Sequence, residues 1–115
     1  MALLPNHNKA FIDILKLKGY CLNSDHPVGK FKAKVFHSVL GFSDKDAEKL
    51  KSAILIELFE REATLSFTDK YGSRYVVDIK ISNLQKEAIV RTVWIIPMVD
   101  GYPKLITCFV KSQII

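Results

Sequence analysis

Side chains able to give a proton or hold an anion are informative where the local pattern does not account for them. The densest such stretch here is His26-Pro27-Val28-Gly29-Lys30-Phe31-Lys32-Ala33-Lys34. A loop histidine can act as acid or base near neutral pH, or can cap the helix that follows. A glycine at a helix start leaves backbone N–H groups open to an anion. Lys32 either points into a cleft, where it would neutralise a phosphate or a developing oxyanion, or carries its ammonium past the helix end into solvent. In the C-terminal half, Arg91 interrupts an apolar run and needs a partner such as Asp78, in an ordinary cross-strand pair or in a site. The candidate catalytic residues are therefore His26, Lys32 and Arg91. The candidate binding residues are Lys30, Lys34, Arg74 and Thr107. A general base or acid beside cations that hold a phosphate or a developing oxyanion is the grouping such a cleft would need.

The elements that must position these residues follow from hydrophobic spacing. Residues 30–40 read as a helix closed by Gly41. At 100° per residue, Lys30, Lys34 and His37 fall within about 60° of one another, while Phe31, Ala33, Val35, Phe36, Val39 and Leu40 fill an apolar arc. Lys32 falls in the middle of that arc. A helix is expected over 13–22, and a longer one over 44–61, with Ser43 as N-cap and Asp44 and Asp46 at its positive end. Leu3, Leu4 and Pro5 read as an arm that can reach the core, with Asn6 to Asn8 free to cap the next element.

The period then changes to two. Ala63, Leu65 and Phe67 alternate with polar residues, Asp69 to Ser73 reads as a hairpin loop, and Tyr75, Val77, Ile79 and Ile81 form a second strand. After a turn at Ser82 to Lys86, the run Ala88 to Ile96 is apolar on both faces, as in a central strand. Leu105 to Val110 makes the last strand. Trp94 reads as core rather than as a base-stacking platform. The expected fold is α+β, N-terminal helices on a four-stranded antiparallel meander, in one domain over residues 1–115.

Composition sets the limits. Hydrophobic residues make up 49% and charged residues 25%, which excludes a disordered or low-complexity chain. No apolar run approaches the ~20 residues of a membrane span, and the N-terminus has no basic region before an apolar stretch, so neither a membrane location nor a signal peptide is expected. The net charge is +5, with +4 over residues 1–42, −2 over 43–63 and +3 over 64–115. Such an imbalance attracts polyanions or simply solvates a surface. Cys21 and Cys108 lie outside any metal-ligand spacing and read as buried free thiols of a cytoplasmic protein. No zinc site, cofactor or recognised catalytic signature is expected.

The chain as a whole resembles a bacterial family, domain of unknown function 6883. The resemblance runs through Leu4-Pro5-Asn6, Ala10, Ile12, Lys16, Tyr20 and Leu22, then His26-Pro27-Val28-Gly29, Lys32-Ala33, Val35-Phe36 and Leu40-Gly41. It continues in Tyr71-Gly72, Tyr75, Asp78, Arg91, Trp94-Ile95, Pro103, Leu105 and Thr107. Two positions depart from the pattern: Phe31, where a polar residue or histidine is usual, and Phe109, where tyrosine is common. Either change would weaken any chemistry carried by the missing polar group. The resemblance implies small free-standing proteins and C-terminal modules of phage-related and toxin-like proteins.

Two functions fit these observations. One is a binding or interaction module, a partner in a two-gene unit or a homodimer, using a sheet edge and the apolar end at Ile114 and Ile115. The other is a metal-independent ribonuclease-like toxin domain that binds RNA phosphate through a His/Lys/Arg cleft.

Overall fold

The switch of period near residue 62 marks where the chain turns from helices to sheet. The computed structural model describes residues 2–114, with side chains through residue 112. The Ile114 and Ile115 side chains, expected as an apolar end, lie outside the described residues. The helical part holds α1 (Ile14–Lys16), continued by a π-helical turn over Leu17–Cys21, then α2 (Lys30–Leu40) and α3 (Ala47–Glu57). The sheet consists of β1 (Ala63–Asp69), β2 (Gly72–Asn83), β3 (Lys86–Pro97) and β4 (Lys104–Ile114), antiparallel in the order β1-β2-β3-β4. The chain is α+β, with helices packed on a four-stranded meander. No helix among the described residues is long and apolar enough to cross a membrane.

Local chemistry sets the helix ends. The Asp13 side chain accepts from the Leu15 N–H and starts α1. Ser43 and Asp46 form a capping box, so the segment expected as one helix from 44 opens with a 3₁₀ turn at Asp44–Asp46 and becomes α-helical at Ala47. It stops at Glu57 rather than 61. Gly41 adopts φ 73° and closes α2. In the N-terminal arm Leu4 is buried, but Asn6 caps nothing; its side-chain amide donates to the Gly101 carbonyl and ties the arm to the β3–β4 connection.

The strands outrun their sequence signals because the hairpins are tight. Asp69 pairs with Gly72 and Asn83 with Lys86, leaving two-residue loops at 70–71 and 84–85. Leu84 takes φ 59°, a left-handed conformation that nothing in its residue type announces.

One face of the sheet forms the core. Val77, Ile79, Ile81, Ala88, Val90, Trp94, Leu105 and Cys108 are buried against Leu17, Phe36, Leu40, Leu50, Ile54 and Leu58. Trp94 is fully buried; its indole N–H donates to the Thr92 hydroxyl at 2.8 Å, which donates to the Val77 carbonyl at 2.7 Å. Thr92→Val leaves that indole N–H unpaired in the core, and should lower unfolding free energy by about 1–2 kcal/mol in urea titrations.

Candidate functional site

α2 shows how the sequence positions Lys32. The buried residues of this helix are Ala33, Phe36 and Leu40. Phe31 and Val35, assigned by periodicity to the apolar arc, are 67% and 41% exposed. The buried seam is therefore narrower than the arc. Lys32 stands at its margin rather than in its middle, beside the edge strand β4.

There Lys32 Nζ donates to the Thr107 hydroxyl at 2.9 Å and to the Tyr20 hydroxyl at 3.1 Å, with the ammonium 4.7 Å from the Tyr20 ring centre. No carboxylate pairs with it among the described residues. Tyr20, Lys32 and Thr107 line an open cavity of about 490 Å³ with Asp13, Leu15, Lys16 and Ile106. β4 meets β3 here with a register shift beside Val93–Trp94.

His26 stands behind Tyr20, ring edge to face, with centroids 4.9 Å apart. Its Nδ1 accepts the N–H groups of Val28 and Gly29 at 3.0 and 2.9 Å. That fixes the ring proton on Nε2 in the neutral form and leaves Nε2 as the nitrogen free for exchange. Gly29 is there because of a close approach: a Cβ on it would lie 2.2 Å from the Tyr20 carbonyl oxygen. His26, Gly29 and Lys32 thus act on one element, the Tyr20 segment.

Beneath this cavity lie the two cysteines. Thr107 Oγ1 lies 3.7 Å from Cys21 Sγ, and Cys108, the next residue on β4, is buried with it. Cys108 acts first, and with the Thr107 hydroxyl and the Lys32 charge it brings the Cys21 thiol down to about 6, against the opposing effect of burial. Cys108 is raised well above its ordinary value by the neighbouring Cys21 and by burial. A depressed thiol stabilises the fold above its folded value and loses that contribution as pH falls through it. Cys21 thus makes stability rise with pH from about 6 towards 9. Cys108 has the opposite sign above pH 9, where only the unfolded chain releases its proton. Urea midpoints at pH 6, 7 and 8 should climb in the wild type and stay level in Cys21→Ala.

The remaining candidates lie elsewhere. Arg91 grips Asp78 in a bidentate pair, Nε to Oδ1 at 2.8 Å and Nη2 to Oδ2 at 3.0 Å, and Lys111 adds a third bond. Asp78 is held below the usual carboxylate range, first by Arg91 and also by Lys111. Asp78 and Arg91 alternate with the buried residues of β2 and β3, so they project from the face away from the core. They line a cavity of about 630 Å³ with Glu60, Arg61, Glu62, Thr64 and Ser66. Its cations are already neutralised, Arg91 by Asp78 and Arg61 by Glu57. Arg74 pairs with Asp69 at the β1–β2 hairpin and covers the Phe67 ring. Lys30 and Lys34 line a third cavity, about 480 Å³, with His37, Phe31, Phe42 and Ser43. The structure thus groups Lys32, Thr107 and His26 around Tyr20, places Lys30 and Lys34 on the next flank of α2, and sets Arg74 and Arg91 apart. Tyr20 figured in the family resemblance but not among the candidate site residues, since an aromatic residue in a helical stretch reads as packing.

A model of the domain of unknown function DUF6883 matches residues 3–112. The chain belongs to that family. The DUF6883 motif His26-Pro-Val-Gly-x-x-Lys32 is therefore, in space, the histidine that holds the loop, the glycine that lets it touch Tyr20, and the lysine that reaches Tyr20 and Thr107. Among curated proteins, none matches. Among solved structures, a chain of the contact-dependent growth inhibition toxin–immunity protein complex from Klebsiella pneumoniae 342 is similar at 18% identity and a TM-score of 0.64, over 87% of this chain and 98% of that one. At that identity the likeness is one of fold.

Proposed function

We propose that this DUF6883 domain is a toxin-related module that holds the phosphodiester backbone of RNA in the Lys32 cavity and cleaves it without a metal ion. The observation that carries the reading is the Lys32 ammonium, shared between two hydroxyls at an open cavity and unpaired with any carboxylate among the described residues. A phosphate is the ligand such a cation lacks. The donor set favours chemistry without a metal: a lysine, two hydroxyls and the lone carboxylate of Asp13 make a poor cation site. The fold shared with a chain of a toxin–immunity complex supports a toxin-related role.

In this reading the 2′-hydroxyl of the bound nucleotide attacks phosphorus and loses its proton to water, and the P–O5′ bond breaks. Lys32 and the Thr107 hydroxyl stabilise charge on the phosphoryl oxygens. The Tyr20 hydroxyl, which accepts from Lys32 and keeps its own proton to give, protonates the departing 5′ oxygen and is recharged from water. His26 is a positioning residue that orients Tyr20. Lys30 and Lys34 attract neighbouring phosphates, whereas Arg91 and Arg74 serve their ion pairs.

The test is incubation of the protein with RNA in excess chelator. Fragments with 2′,3′-cyclic phosphate and 5′-hydroxyl ends are expected; RNA left intact and unbound at micromolar protein overturns the proposal.

One feature favours a second reading, a protein-binding module. β1 pairs only with β2 among the described strands, and its Leu65 and Phe67 are half exposed. If β1 seats a second copy, light scattering gives twice the 13.1 kDa mass, and Leu65→Lys returns it to the monomer.

A further inference from the structure

The Lys32 cavity has a neighbour that phosphate binding leaves unexplained. Between α2 and β4 runs a groove of about 320 Å³ lined by Phe31, Lys32, Val35, Phe109 and Val110. Lys32 belongs to both hollows. Its ammonium lies 4.7 Å from the centre of the Tyr20 ring on one side and 5.7 Å from that of Phe109 on the other. Phe31 and Val35 leave apolar surface uncovered on a helix whose other large apolar residues are packed. The groove is lined by no carboxylate. Its surroundings are basic: Lys30 lies 5.3 Å from the centre of the Phe31 ring, and Lys34 is exposed on the same helix.

We propose that this groove is a nucleobase subsite, which takes one unpaired base of a single-stranded RNA whose phosphate rests on Lys32. The inference rests on the phosphate reading of the Lys32 cavity and extends it to a substrate class. A single strand alternates a charged phosphate with a flat apolar base, and a lysine-centred cavity opening onto an aromatic groove repeats that alternation. Bases stack on aromatic rings whatever their identity, so the subsite selects for strandedness more than for sequence. A duplex keeps its bases stacked inside and cannot fill the groove.

The experiment uses the full chain and a labelled, non-cleavable 2′-O-methyl oligoribonucleotide, followed by fluorescence anisotropy. Phe31→Ala should weaken binding roughly tenfold, and Phe31→Trp should keep it. An abasic oligonucleotide of equal length should bind the wild type more weakly than the intact one, while Phe31→Ala binds both alike. If Phe31→Ala and Phe31→Trp both bind as the wild type does while Lys32→Met loses binding, the base subsite is overturned and the phosphate reading stands. If the wild type binds no oligonucleotide, or Lys32→Met binds undiminished, the phosphate reading falls and this one with it. If oligoglutamate binds the wild type as tightly as RNA and loses binding in Phe31→Ala, the groove belongs to an acidic peptide and the proposal is overturned.

Discussion

Replacement of Lys32 by methionine should reduce RNA cleavage by about 10²–10³-fold, the usual cost of losing one preorganised group that stabilises transition-state charge. Methionine keeps most of the apolar stem and removes only the ammonium, so the packing of α2 against β4 is retained. Because Lys32 has hydroxyl partners beside an open cavity rather than a buried counter-ion, its loss strands no charge in the core. The expected change in unfolding free energy is under about 1 kcal/mol. Lys32→Arg should restore little, because a planar fork does not fit where one ammonium meets two hydroxyls. Equal cleavage by wild type and Lys32→Met, measured on end-labelled RNA, would remove Lys32 from the mechanism.

The second large effect is expected at Gly29. At the N-cap of α2, with the helical dihedrals φ −66° and ψ −19°, glycine to alanine ordinarily stabilises by about 0.4–1 kcal/mol through the unfolded chain. Here the sign reverses. The added methyl would meet the Tyr20 carbonyl oxygen at 2.2 Å, its carbon at 2.9 Å and the ring Cδ1 at 3.0 Å. Backbone cannot step aside as a flexible side chain can, so Tyr20 or the start of α2 must move. Gly29→Ala should cost roughly 1–3 kcal/mol. It should also lower cleavage, because Tyr20 is displaced from Lys32. Gly19→Ala is the matched control, with nothing within 4 Å of its added methyl, and should be neutral or stabilising. Urea denaturation of the two variants checks the pair; equal stability would show that the Gly29 contact is not tight.

The Gly29 contact also shows what sequence reasoning can reach. The helix over 30–40 is legible because apolar spacing and Gly41 agree on its end, and the meander because the period changes to two. The Asp78–Arg91 partnership is legible because an interrupting cation in an apolar strand demands a carboxylate. Other features depend on tertiary placement. The width of the buried face of α2 is set by where β4 ends, so Phe31 and Val35 look like core and are not. Whether Arg91 shares a cavity with Lys32 depends on which sheet face the helices cover, a choice that alternation alone leaves open. Cys21 and Cys108 stand 87 positions apart in the chain, and only folding buries both beside Thr107. The tight turn at Leu84–Gln85 has no glycine or asparagine to mark it, which is why β2 and β3 run longer than their signals.

The most direct test of the Lys32 cavity is a titration of isotope-labelled protein with a 2′-O-methyl oligoribonucleotide, with backbone and lysine Nζ resonances observed together. The cavity predicts that Tyr20, Lys32 and Thr107 shift with one common affinity and that the affinity falls steeply with salt. Shifts confined to the β1 edge or to the Asp78–Arg91 face, with the Lys32 signals unmoved, would contradict it.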